Sequence, residues 1–142
     1  MVLWSGAHAH IAINNLTIIF MPQKKVILIL EDEGMLAKAL RIMLEDEGFT
    51  VTIAQDGTVA VEEVDNSDYD LVLLDLVVPG IDGFEVLKHI RSKGNKPPVF
   101  ILSNLSQKED IDKALTLGAD KYFVKSDTLL SEITRVVKEA FS

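Results

Sequence analysis

The sequence predicts a doubly wound α/β sandwich, a parallel five-stranded sheet with helices on both faces. Two patterns and one total carry this expectation. From residue 25 onward, short apolar runs of strand length alternate with amphipathic helical stripes, and the alternation occurs five times. Strand–helix repeats of this kind form parallel strands joined by right-handed crossovers. The chain has 142 residues, is 48% hydrophobic and 25% charged, and so suits one domain with a substantial core.

The elements follow in order. Val26–Leu30 is an unbroken apolar run, as expected of a strand covered on both faces. Leu36, Ala39, Leu40, Met43 and Leu44 mark a helix face, and Gly48 is placed to end it. Thr50–Ala54 alternates like an edge strand, and Asp56 can cap a helix that buries Val59, Ala60 and Val64. Leu71–Leu74 is a third, buried strand, followed by a Pro-Gly loop and a helix carrying Phe84, Leu87 and Ile90. Residues 99–102 form a fourth strand behind Pro97-Pro98, and a helix around Ile111, Ala114 and Leu115 stops at Gly118. Residues 122–124 are the last short strand. The final helix has the clearest stripe, with Leu129, Leu130, Ile133, Val136, Val137, Ala140 and Phe141 on one side.

Charge narrows the function classes. Lys and Arg number 14 against 22 Asp and Glu, a formal charge of −8 that lies wholly beyond residue 23. Such a balance argues against a broad nucleic-acid footprint. With no Cys, disulfides, thiolate metal sites and Cys nucleophiles are excluded together, which fits a cytoplasmic domain. Residues 1–22 form an uncharged, mainly apolar leader without a positive n-region, and its apolar stretch 16–21 is too short for a signal peptide. His8, His10, Asn14 and Asn15 interrupt any membrane-length run. The leader is expected to lie outside the fold, with Met21 as a natural start and residues 23–142 as the domain; an extra strand or arm is the alternative. His8 and His10 could hold a metal, but at a spacing of two in such a leader they are read as incidental.

In doubly wound sheets, ligands sit beyond the carboxyl ends of the strands, at the switch point. Here the strand ends are chemically distinctive. The first ends in Glu31-Asp32-Glu33, the third in Asp75, the fourth in Ser103 and the fifth in Lys125. In the strand order 2-1-3-4-5, the first and third strands are adjacent and these groups converge. Clustered carboxylates repel, and a divalent cation with oxygen ligands relieves that repulsion; Mg²⁺ is the natural choice beside a phosphate. Lys125 supplies a mobile positive charge, Ser103 a hydroxyl donor, and Asp75 a carboxylate able to form an acyl phosphate. Taken singly, Asp32 reads as a helix cap, Ser103 as a turn residue and Lys125 as a solvated side chain. Their joint placement favours the functional reading.

The segments LILEDE, LVLLDLVVPGIDGFEVL, VFILSN and LGADKYFVK, at these spacings, resemble the receiver domain of two-component response regulators. The resemblance covers nearly all of residues 24–142 and implies the flavodoxin-like fold with five helices. It implies that Asp75 is the phosphoacceptor, and that Asp32, Asp75 and the main-chain carbonyl of Val77 hold Mg²⁺ directly, with Glu31 acting mainly through water. It makes Ser103 the switch hydroxyl, Lys125 its charge partner, and Tyr122 the aromatic that turns inward when the hydroxyl moves. Two positions depart from the family. Ser126 stands where a cis-Pro usually follows the lysine, so a trans bond or a differently shaped loop is expected, and Asn104 stands where a small residue is usual. Val77 and Leu105 would flank an attacking water, and being apolar they imply slow self-catalysed hydrolysis.

The implied function is a phosphorylatable switch, catalysing only its own phosphorylation and dephosphorylation. A sensor histidine kinase or a phosphotransfer protein would donate to Asp75. The face made by the fourth helix, fifth strand and fifth helix would engage a downstream protein target. No direct nucleic-acid or membrane contact is expected, and homodimer formation is left open. The alternatives are a receiver-like scaffold that is never phosphorylated, and a flavodoxin-type FMN carrier, against which the acidic first loop argues.

Overall fold

The computed structural model describes residues 2–5, 8–13, 16–20 and 23–142. In the leader, β1 (Val2–Ser5), β2 (His8–Ile13) and β3 (Leu16–Phe20) pair antiparallel as a sheet of their own. Then β4 (Val26–Leu30), α1 (Gly34–Asp46), β5 (Thr50–Ala54), α2 (Gly57–Asn66) and β6 (Leu71–Leu74) follow. They continue into α3 (Gly83–Ser92), β7 (Val99–Ser103), α4 (Lys108–Thr116), β8 (Lys121–Val124) and α5 (Leu130–Glu139). The second sheet has the order β5-β4-β6-β7-β8 with every pair parallel, the 2-1-3-4-5 arrangement expected of the domain.

The strand sequences explain the two-layered core. Successive side chains point to opposite faces of a sheet. Leu28 and Leu30 of β4 accordingly join Ala60, Val86, Leu87 and Ile90 under α2 and α3. Ile27 and Ile29 join Leu40, Leu44, Ile133 and Val137 under α1 and α5. Polar devices end the helices. The carboxylate of Asp56 accepts from Val59 N–H at 2.8 Å and that of Asp82 from Glu85 N–H at 3.0 Å, each a conventional N-cap.

Helix stripes predicted faces better than depths. Leu129 is 74% exposed at the N-cap of α5, Ala140 is exposed, and Leu115 on the short α4 is 45% exposed. Ala37 and Thr134 are buried instead. Thr134 achieves this by donating its hydroxyl to the Leu130 carbonyl at 2.9 Å.

Register builds the site. Leu30 of β4 pairs with Leu74 of β6, and Asp75 N–H donates to the Leu30 carbonyl at 3.0 Å, so Glu31 and Asp75 emerge side by side. Gly83 lets α3 start hard against this end: a Cβ there would lie 2.3 Å from the Asp75 carbonyl oxygen and 2.5 Å from Leu76 Cα.

Candidate functional site

The ends of β4, β6 and β8 meet at an open cleft of about 390 Å³ lined by Glu31, Asp32, Glu33, Asp75, Val77, Asn104, Leu105 and Lys125. Carboxylate oxygens of Glu31, Asp32 and Asp75 all lie within 4.8 Å of one another. Asp32 is exposed, whereas Glu31 and Asp75 are only 2% and 5% exposed. Two buried acids at this spacing need compensating charge. Lys125 Nζ provides it, lying 2.6 Å from Glu31 Oε1 and 2.7 Å from Asp75 Oδ2. Backbone amides take the other oxygens: Glu33 N–H donates to Glu31 Oε2 at 3.0 Å, and Val77 N–H to Asp75 Oδ1 at 3.2 Å.

These contacts set the protonation tendencies. Burial pushes the Glu31 carboxyl above its ordinary range, outweighing the hydrogen bond from Lys125. For Lys125 the balance goes the other way. Burial works to lower it, but hydrogen bonds to Asp75 and Glu31 prevail and hold the ammonium above its usual pKa. The lysine is therefore a fixed positive charge. The acidic pocket, with oxygen donors only, has the donor chemistry a hard divalent cation requires.

Ser103 is wholly buried at the end of β7, and its Oγ accepts from Leu105 N–H at 3.3 Å. Tyr122, half-buried on β8, donates its hydroxyl to the Leu105 carbonyl at 2.6 Å, and packs against the buried cluster that includes Ile101 and Ala114. Burial raises the Tyr122 pKa, so the phenol keeps its proton. The structure thus gathers Glu31, Asp32, Asp75, Val77 and Lys125 around one cleft. Ser103 at the end of β7 and Tyr122 on β8 are each bonded to Leu105, which lines the cleft.

The Lys125–Ser126 peptide is trans, and residues Lys125–Asp127 form a single 3₁₀ turn, in line with the expectation from Ser126. One contact was not foreseen. The Ser126 N–H donates to Asn104 Oδ1 at 3.1 Å, so the two positions that depart from the family pattern bind each other. The clue was in the sequence, because a serine has the N–H that a proline lacks.

A parallel sheet with an acidic pocket at its switch point and a lysine across from it is the architecture of a receiver-type signalling domain. The response regulator receiver domain family model matches residues 27–136, and the chain belongs to that family. Its place is in two-component signalling. It is 40% identical over 110 residues to the transcriptional regulatory protein DltR of Streptococcus agalactiae, covering 75% of this chain and 49% of that protein. It is 39% identical over 112 residues to the sensory transduction protein RegX3 of Mycobacterium tuberculosis, covering 78% and 48% respectively. The chain spans about half the length of these relatives.

Among solved structures, the response regulator TrrA of Thermotoga maritima in complex with Mg²⁺-BeF is similar at 33% identity. Its TM-score is 0.72, over 81% of this chain and 97% of that one. The Francisella response regulator 1452 receiver domain aligns with 26% identity and a TM-score of 0.75, over 84% of this chain and all of that one. Among the described residues, no helix is long and apolar enough to cross a membrane.

Proposed function

We propose that this domain is a phosphoacceptor switch in which Asp75 takes a phosphoryl group from a phosphohistidine of a kinase or phosphotransfer protein. A carboxylate oxygen of Asp75 forms the new O–P bond, the P–N bond breaks, and the imidazole leaves with the bonding pair and picks up a proton. Glu31, Asp32, Asp75 and the Val77 carbonyl would hold Mg²⁺, with Glu31 acting mainly through water. The ion, when bound, supplies positive charge against the carboxylates and the incoming phosphoryl oxygens. This chain's residues do the positioning. Val77 N–H orients one Asp75 oxygen and Lys125 the other, and the lysine remains to pair with the phosphoryl group. Ser103 donates its hydroxyl to a phosphoryl oxygen. Tyr122 is the relay to the α4-β8-α5 face, whose affinity for a target changes with the loop after β7. Chemistry of this kind rests on positioning and charge neutralisation.

In this reading the domain's catalysis is confined to its own phosphorylation and dephosphorylation. Residues 23–142 are the functional unit and the leader lies outside it. Output passes through protein contact in the cytoplasm, and the net charge of −8 argues against a broad nucleic-acid footprint on this domain. The transcriptional role in DltR's name belongs to that longer protein. The carrying observation is that Glu31, Asp32 and Asp75 place oxygens within 4.8 Å of one another, with Lys125 bonded to two of the three. The test is incubation with acetyl phosphate, with and without Mg²⁺, read by intact mass. The expected result is gain of one phosphoryl group that requires both the ion and Asp75. No gain in the intact protein with Mg²⁺ present would contradict the reading and favour a scaffold.

A further inference from the structure

Three hydrogen bonds converge on Ser103, which ends β7, and the two residues after it. Ser103 Oγ is met by Leu105 N–H, the Leu105 carbonyl by the Tyr122 phenol, and Asn104 Oδ1 by Ser126 N–H. The first two lie within the switch machinery proposed above. The third ties that loop to the residue following Lys125, across the mouth of the cleft that Asn104 and Lys125 both line. It exists because residue 126 has an N–H to give and residue 104 has an amide oxygen to receive it. Neither residue touches the acidic cluster through this bond, so it does no chemistry there. It constrains where the backbone between Ser103 and Leu105 can go.

We infer that Asn104, clasped by the Ser126 amide, is a positioning residue that holds the loop after β7 in the arrangement with Tyr122 turned toward the core. The inference rests on the reading of Asp75 as a phosphoacceptor, because the clasp matters only if this loop responds to a phosphoryl group. Loop, tyrosine and lysine turn then form one linked unit, set before the phosphoryl group arrives. Part of the ordering that a phosphorylated site otherwise imposes is already in place, and a ligand that needs the ordered form binds more tightly. A single exposed hydrogen bond shifts such an equilibrium about two- to tenfold.

The test uses beryllofluoride with Mg²⁺ as a stand-in for the phosphoryl group, titrated into the full chain and followed by amide NMR. Asn104→Ala removes the acceptor and is expected to weaken beryllofluoride binding about threefold or more, while moving the Ser126 amide and Tyr122 ring resonances even without ligand. Ser126→Pro removes the donor and should weaken binding to a similar extent; Ser126→Ala, which keeps the N–H, should bind as the wild type does. The double variant Asn104→Ala with Ser126→Pro should be no worse than either single one, since both delete the same bond. Wild-type binding with an Asn104→Ala variant that binds equally well or better overturns the clasp while sparing the phosphoacceptor reading. Additive losses in the double variant do the same. Failure of the wild type to bind beryllofluoride in Mg²⁺ overturns both.

Discussion

Replacing Lys125 by Met removes the charge that two buried acids share while keeping most of the side chain's volume. In the native site its Nζ lies 2.6 Å from Glu31 and 2.7 Å from Asp75. Without it, carboxylate oxygens within 4.8 Å of each other repel by about 3 kcal/mol at an effective dielectric near 20. That agrees with the ~3–5 kcal/mol lost when one partner of a buried ion pair is deleted. For a domain the size of residues 23–142 the melting temperature should fall by about 10 °C in EDTA at neutral pH. The loss has a definite pH dependence. Glu31 already sits above its ordinary pKa through burial, and losing the lysine raises it further. The folded state then binds a proton that the unfolded chain has released, so the variant's stability falls as pH rises through the folded pKa of Glu31. Mg²⁺ should restore stability to the variant more than to the wild type, because no ammonium competes for the oxygens. Differential scanning fluorimetry across pH, with EDTA or Mg²⁺, makes the comparison. Equal melting temperatures for both proteins in EDTA, or a variant indifferent to Mg²⁺, would refute the reasoning.

Three other perturbations probe separate links. Glu31→Gln deletes a desolvated charge, so the metal-free variant should gain stability over the wild type above the folded pKa of Glu31 and lose that advantage near pH 4; urea unfolding checks it. The same variant should weaken Mg²⁺ binding about ten- to a hundredfold, read by calorimetry. Val77, 62% exposed on the cleft wall, offers no hydrogen bond to a water; Val77→Asn should hasten loss of the phosphoryl group from purified protein by about tenfold, and an unchanged half-life counts against the water path beside Val77 and Leu105. Gly83→Ala puts a methyl into the Asp75 carbonyl and should cost at least about 2 kcal/mol in denaturant unfolding, together with slower phosphorylation, because relief requires α3 or the end of β6 to shift.

The fold was legible because parallel strands buried on both faces leave unbroken apolar runs, and β4, β6 and β7 are such runs. The edge strand β5 was equally readable from its alternation. Depth was less readable. Leu129 at the N-cap of α5 and Leu115 near the end of α4 lie on the predicted stripes yet are exposed, since a periodic pattern marks the direction of a side chain and not what lies beneath it. The candidate site residues were legible because a doubly wound sheet delivers its strand ends to one place. What joins them was not. That Lys125 bonds to Glu31 as well as Asp75, and that Asn104 reaches Ser126, depends on side-chain conformations set by three loops at once. The role of Arg91 is not legible in the sequence at all. Arg91 bonds to the carbonyls of Gly118 and Pro97 and to the Asp120 carboxylate, clamping the opposite end of the sheet, but in sequence it is one more charged residue on a helix.

The most direct measurement is the location of the acquired phosphoryl group. An acyl phosphate is reduced by borohydride to an alcohol, which marks the modified carboxyl permanently for peptide mass spectrometry. After reaction with a phosphohistidine donor and Mg²⁺, the mark should fall on Asp75 alone and vanish in Asp75→Asn. A mark on Glu31, Asp32 or any residue away from the cleft, with Asp75 unmodified, would contradict the account.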